Sequence, residues 1–354
     1  MKKNLLFSAA SAALVLVSCH QEQAEIPVKE NGHPVEITVS IQGTPATRAT
    51  HTDYADESKV NTLQVFVFNG EDCEAHKSVT GSLQALVPAT SGERTIWAVV
   101  NGVEDLYEDG LTLTGLKTKV TALSDNTKEN FVMTGSTKQE LVDGENVPIA
   151  VKRIVSRVSV AKISCNLKDY RKDYSIRIEK IYMINVAGDS PYEAGGEASS
   201  WVNKLGHTDA AYDVLLYDEL SGVTIRNSIL NDAGKVITDN SYGSEHAFYP
   251  YPNVHGTNVE GEAQAYAAEW TPRGSMVVIE VTMFQGDSDT EGIHGYYPVA
   301  LPALERNKNY IIEEVQISRL PGDNPYEPID TGETKVTISV HEWETGLNLG
   351  TIEL

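Results

Sequence analysis

At 354 residues the chain is long enough for two domains of ordinary size, each with its own core. Fifty acidic residues against 28 Lys and Arg give a formal net charge of −22. A surface of that sign repels phosphate backbones and anionic headgroups, which argues against nucleic-acid binding and against membrane contact through the protein surface. With 41% hydrophobic and 22% charged residues the composition is that of a folded, soluble protein, and three cysteines are too few for a disulfide scaffold.

The chain opens with Lys2 and Lys3 and an apolar stretch from Leu5 to Val17 broken only by Ser8 and Ser11. A basic start followed by a short apolar segment reads as an export signal, residues 1–19. It ends in Leu16-Val17-Ser18-Cys19, which looks like a lipobox, so Cys19 is the expected lipidation site and the exported chain is expected to begin tethered by lipid. Of the remaining cysteines, Cys73 and Cys165, two separate thiols are expected, with a disulfide left open. Residues 20–34, rich in Glu and Pro, read as a tether.

Val35, Ile37, Val39 and Ile41 then alternate with Glu36, Thr38 and Ser40, which predicts a strand with one buried face. A polar stretch of small residues, Gln42 to Thr50, follows and carries a single Arg, Arg48. Val60, Leu63, Val65 and Val67 alternate with Phe66 and Phe68 and close on Asn69-Gly70, and Thr95 to Val100 closes on Asn101-Gly102 in the same way. Leu113, Leu116, Val120 and Leu123 are spaced for one helical face, which predicts a short helix. Further strands are predicted within residues 149–163, 176–186, 276–284, 310–317 and 336–340. The fold class is therefore mainly β: two tandem antiparallel β-sandwich domains with one or two short helices, divided as 49–150 and 151–354.

No catalytic nucleophile elbow, phosphate loop, dinucleotide fingerprint or zinc-protease motif occurs, and nine His are scattered without metal-ligand pairing. His341-Glu342 falls in a predicted strand, where adjacent residues face opposite sides. The run Asp287 to Gly292 begins like a calcium loop but has Pro298 where a bidentate Glu is needed, and reads as a hairpin turn. Phe248-Tyr249-Pro250-Tyr251-Pro252 reads as a strand entering a bend more readily than as a sugar-binding face. The expectation is a non-enzymatic protein with no cofactor and no metal.

Several segments together resemble the fimbrillins of the Bacteroidota, in particular the major subunit of long fimbriae. They are Asp56-Glu57-Ser58-Lys59-Val60 leading to Val65-Phe66-Val67-Phe68-Asn69-Gly70-Glu71, Gly92-Glu93-Arg94-Thr95, Met133-Thr134-Gly135, and the basic strand Val151-Lys152-Arg153-Ile154-Val155-Ser156-Arg157-Val158. Tyr296 to Val299, Glu305 to Tyr310, Asn324-Pro325 and Val340-His341-Glu342-Trp343 complete the resemblance, which is weakest over residues 187–245. It implies transthyretin-like domains and a type V pilin. In such a pilin the lipid-anchored precursor reaches the cell outer membrane and is built into an extracellular fimbrium once an arginine-specific protease cuts it after one arginine, here Arg48 before Ala49. The propeptide 20–48 then leaves with the first strand, and a C-terminal strand of the next subunit fills the vacated groove.

The residues support the same mechanism. Losing a strand with four buried aliphatic side chains uncovers about 6–12 kcal/mol of apolar burial as an upper bound, together with unpaired backbone groups. A neighbour's strand of matching alternation recovers it. Two C-terminal segments offer that alternation, Val336, Ile338 and Val340, or Leu347, Leu349, Ile352 and Leu354, and the sequence leaves the choice open. The expected partners are copies of the chain, other fimbrial subunits and the protease, with adhesion and biofilm formation as the outcome. The alternatives are a monomeric glycan-binding surface lipoprotein, or a tip or anchor subunit.

Overall fold

The computed structural model describes residues 32–43, 57–104, 106–203, 215–227, 240–256, 271–286, 288, 290–327 and 335–343. The first half contains β1 (Pro34–Gly43), β2 (Thr62–Asn69), β3 (Asp72–Thr80), β4 (Gln84–Thr90), β5 (Gly92–Val100), α1 (Leu113–Thr118), β6 (Val120–Ala122), β7 (Met133–Leu141) and β8 (Asn146–Arg153). All of these strands except β6 join one seven-stranded sheet in the order β3-β2-β5-β7-β8-β1-β4.

The sheet folds over itself at β8. That strand runs parallel to β1 from Asn146 to Val151, then pairs with β7 only at Lys152 and Arg153. One layer is thus β8-β1-β4 and the facing layer β3-β2-β5-β7. Val35, Ile37, Val39 and Ile41 meet Leu63, Val65, Val67, Ile96 and Ala98 in the core between them. The layers approach closely where β7 passes β8. At Gly135 a Cβ would stand 2.2 Å from the Ala150 carbonyl oxygen, so only glycine fits.

Alternation along β2 holds as expected. Leu63, Val65 and Val67 fill this core, while Phe66 and Phe68 enter a second and larger one on the other face. Both faces of β2 and β5 are covered, because the segment carrying Leu106, Leu111, Leu116, Leu123 and Phe131 lies across the outer side.

The second half contains β9 (Arg157–Val160), β10 (Ile163–Cys165), β11 (Tyr174–Ile184), β12 (Val186–Ala187), β13 (Asp189–Pro191), β14 (Trp201–Val202), β15 (Tyr217–Arg226), β16 (Ser241–Tyr242), β17 (His246–Phe248), β18 (Met276–Gln285), β19 (Gly292–Ala300), β20 (Lys308–Ile317) and β21 (Lys335–Glu342). A four-stranded sheet, β15-β11-β18-β19, and a six-stranded one, β16-β10-β20-β9-β17 with β21 on β20, enclose Ile176, Ile178, Val277, Ile279, Tyr310 and Ile312. Pairing between β18 and β19 runs from Met276↔Ala300 to Phe284↔Gly292, the hairpin expected around residues 287–291. Phe248, Tyr249 and Tyr251 are fully buried, so that aromatic cluster is core.

Two expectations need correction. Antiparallel pairing dominates, but β1–β8, β9–β20 and β10–β20 run parallel. The helix expected through Leu123 stops at Thr118. The Thr118 hydroxyl bonds back to the Thr114 and Gly115 carbonyls, Lys119 turns extended, and Val120 to Ala122 pair with β13 instead. The β-branched Thr118, Val120 and Thr121 suit that extended pairing better than a helix, and Val120, expected on the buried face, is 56% exposed.

Candidate functional site

β1 is an interior strand. Its antiparallel pairing with β4 runs from Pro34↔Thr90 to Ser40↔Gln84, and its parallel pairing with β8 from Thr38↔Asn146 to Gly43↔Val151. Val35, Ile37, Val39 and Ile41 are 9%, 0%, 0% and 5% exposed, so the whole apolar face read from the sequence is buried. The polar face is less open than alternation suggests, since Ser40 is buried as well. Backbone bonds from Ser91 N to the His33 carbonyl and from Gly144 N to the Glu36 carbonyl tie the strand at its start, together with the Glu36 N–H donating to Asp143 Oδ1. Removing such a strand leaves two facing edges and an apolar floor between them.

At the other end of the chain, β21 lies antiparallel on β20, from Lys308↔Glu342 to Gln316↔Lys335. Val336 and Ile338 are half-buried against the large core, and Val340 is 49% exposed. Trp343 ends the described chain and is buried. Cys19, Arg48, Ala49, Leu347, Leu349, Ile352 and Leu354 lie outside the described residues.

Between these two ends sits a buried polar cluster. The Arg153 guanidinium donates from Nε to the Glu57 carbonyl (3.0 Å) and from an Nη to Ser58 Oγ (2.8 Å). Its flat face lies 4.0 Å from the centroid of a Trp343 ring. Phe131 meets the same indole edge-on and Tyr249 stacks on it, with centroids at 5.7 and 5.8 Å. Asn307 brackets the arrangement from a left-handed backbone with φ of 56°. Its Oδ1 accepts from the Arg153 N–H, its Nδ2 donates to the Trp343 carbonyl, and the Trp343 N–H donates to its carbonyl.

Four residues further on, at the start of β9, Arg157 pairs with Glu57 (3.3 Å) and Glu245 (3.0 Å), and the Tyr249 hydroxyl donates to Glu57 Oε1. Burial alone opposes the Arg157 charge, but Glu57, Tyr249 and Glu245 outweigh it and hold the guanidinium above its ordinary value. Burial, then Glu57, pushes the Tyr249 phenol up. Arg153, Arg157 and Glu57 are each 0% exposed, so breaking one partner strands a buried charge. Sequence reading passed over this cluster. Its one local signal was two arginines, Arg153 and Arg157, set in an apolar run with Val151, Ile154, Val155 and Val158, since buried arginine calls for a buried acceptor.

A cleft of about 680 Å³ lies beside β7 and β13, bordered by Trp97, Trp201, His255, Glu193 and Arg306. Arg306 donates to Tyr192 O, Ser190 Oγ and Pro191 O, and burial lowers its pKa to about 10. Cys73 and Cys165 are free thiols, and burial pushes Cys165 up to about 11. Among the described residues no group of three His, Cys, Asp or Glu is placed to hold a metal ion, and no helix is long and apolar enough to cross a membrane.

Comparison with known proteins agrees with this architecture. Residues 34–167 match the family model described as major fimbrial subunit protein (FimA), a span that begins at β1 and ends just past β10. The major fimbrium subunit FimA type-3 of Porphyromonas gingivalis is 29% identical over 206 residues, covering 52% of this chain and 52% of that relative. The type-2 subunit of the same organism is 23% identical over an alignment covering 97% of this chain and 98% of its own length. The crystal structure of a fimbrilin from Porphyromonas gingivalis superposes with a TM-score of 0.61 at 17% identity, covering 91% of this chain and all of the other, which shows a shared fold. Over residues 34–167 the chain is thus similar in sequence to the FimA-type fimbrial subunits, and its fold is like that of a fimbrilin.

Proposed function

We propose that the chain is the stalk subunit of a fimbria, assembled by protease-triggered strand exchange. The carrying observation is β1, a strand with both edges paired and four aliphatic side chains buried, joined to the rest of the chain through residues 44–56, which include Arg48. A cut after Arg48 detaches β1 covalently from every strand that surrounds it. The two half-buried residues of β21 and the alternation of Leu347, Leu349, Ile352 and Leu354 supply donor candidates at the opposite end. Lipidation at Cys19 would hold the precursor at the outer membrane until the cut severs it. Domains at 49–150 and 151–354 form the body that remains, with β8 continuing past the division to Arg153.

Treating the purified precursor with an arginine-specific protease should give detergent-resistant ladders on gels and filaments by electron microscopy. Arg48→Ala should abolish both. Truncation after Trp343 should leave cleavage intact and tests whether the segment beyond it is the donor. Monomers that persist after clean cutting at Arg48 would overturn the proposal.

A further inference from the structure

Three points of the chain that matter for strand exchange meet on Arg153. It is the last residue of β8 and lies two positions beyond Val151, where the pairing with β1 ends. Its guanidinium holds Glu57 and Ser58, the first described residues after β1 and the segment carrying Arg48. Its face covers Trp343, the end of β21, and its backbone N–H reaches the Asn307 side chain that holds the Trp343 carbonyl. The contacts are continuous and buried, whereas β21, which among the described residues pairs with β20 alone, has four of its eight residues exposed. The stacked Trp343 ring, the Asn307 bracket and the ladder to β20, with Val336 and Ile338 packed on the large core, hold Lys335–Trp343 in place.

We infer that Arg153 couples the two ends of the subunit, so that β1 seated in its groove favours docking of Trp343 and β21, and loss of β1 releases them. The physical sequence is short. Without β1, β8 loses its parallel partner from Thr38 to Gly43 and becomes an edge strand. Its last residues then rely on the pairing of Lys152 and Arg153 with β7. Any shift there is felt by a guanidinium packed at 4.0 Å against an indole that has no room to follow. Because groove occupancy biases Trp343 docking, Trp343 docking biases groove occupancy by the same factor. On the strand-exchange reading, on which this inference rests, the unprocessed subunit would keep its C-terminal end docked until cleavage empties the groove.

Hydrogen exchange followed by mass spectrometry tests the coupling within a single subunit. The full precursor, carrying an inserted cleavage site between residues 44 and 56, is cut with the matching protease, freed of β1, and then given a synthetic peptide of residues 33–43. Exchange across Lys335–Trp343 should rise about tenfold on β1 removal, the ratio for a coupling of about 1.4 kcal/mol between contacting groups, and should fall back when the peptide is added. In Arg153→Lys, which keeps the charge and loses the flat stacking face, exchange there should already be fast before cutting and should not respond to the peptide. Trp343→Leu gives the same readout from the other side if the arginine variant does not fold. Unchanged exchange across Lys335–Trp343 after β1 is gone overturns the inference. Filament formation does not enter this measurement, so a subunit that fails to polymerise can still show the coupling, and one that polymerises can lack it.

Discussion

Replacing Ile37 by Ala tests whether β1 is held chiefly by its buried face. Ile37 is 0% exposed and pairs with Val87 across the β4 ladder, with core residues of the facing layer beneath it. Truncating a fully buried Ile typically costs about 2–5 kcal/mol, the spread reflecting how far the site can close. In the uncut precursor this should appear as a lower urea midpoint, since β1 is part of the cooperative fold. In the cut precursor the same cost should appear as easier departure of the strand, with the release equilibrium shifted by roughly 30-fold at the low end and beyond a thousandfold at the high end. The assay is size-exclusion chromatography of the cut protein, with mass spectrometry following the free peptide. Glu36→Gln, at an exposed position of the same strand, is the control and should move either quantity by no more than about 0.5 kcal/mol. Equal release from the two variants would refute the view that the buried aliphatic face retains the strand.

Other expectations follow from specific burials. Burial raises the phenol of Tyr192 to about 12 and pushes Tyr249, Tyr251 and Tyr297 higher still, so between about pH 9 and 12 the unfolded chain sheds tyrosine protons that the native state keeps. The native state then holds more protons, stability falls as pH rises, and the urea midpoint should hold from about pH 7 to 9 and drop above it. Cys165 is buried with its thiol raised to about 11, whereas Cys73 is half-buried, so iodoacetamide at pH 8 should label Cys73 first and Cys165 only on unfolding. Gly135→Ala would place a Cβ 2.2 Å from the Ala150 oxygen and should cost about 1–3 kcal/mol by thermal or urea unfolding, with Ser136→Ala nearby as the mild comparison.

Much of the fold was legible because strands announce themselves by period two. The alternation at Val35 to Ile41 and the two-sided pattern at Leu63 to Phe68 each map onto the faces seen in the structure. What a strand's own sequence does not carry is its neighbours. Alternation says that β1 has one buried face; it does not say that β8 and β4 flank it or that β8 runs parallel to it. The helix misread past Thr118 has the same origin, since the spacing of Leu113, Leu116, Val120 and Leu123 fits a helix while the pairing of Val120 to Ala122 with a strand some seventy residues later decides the outcome. The Arg153 cluster joins Glu57, Asn307 and Trp343, and no local pattern brings such distant residues together.

On the proposed strand exchange, the interior place of β1 also fixes how many partners a subunit cut after Arg48 would take. An ordinary sheet edge is open-ended, because each strand added presents a fresh edge to the next, which is how edges lead to uncontrolled stacking. The opening left by β1 is bordered by β4 on one side and β8 on the other, two strand spacings or about 9.6 Å apart. One strand saturates it, satisfying both rims at once and leaving no new edge in that layer. On the strand-exchange proposal, that opening accepts one donor, and a subunit that gives one chain end and takes one grows as an unbranched line.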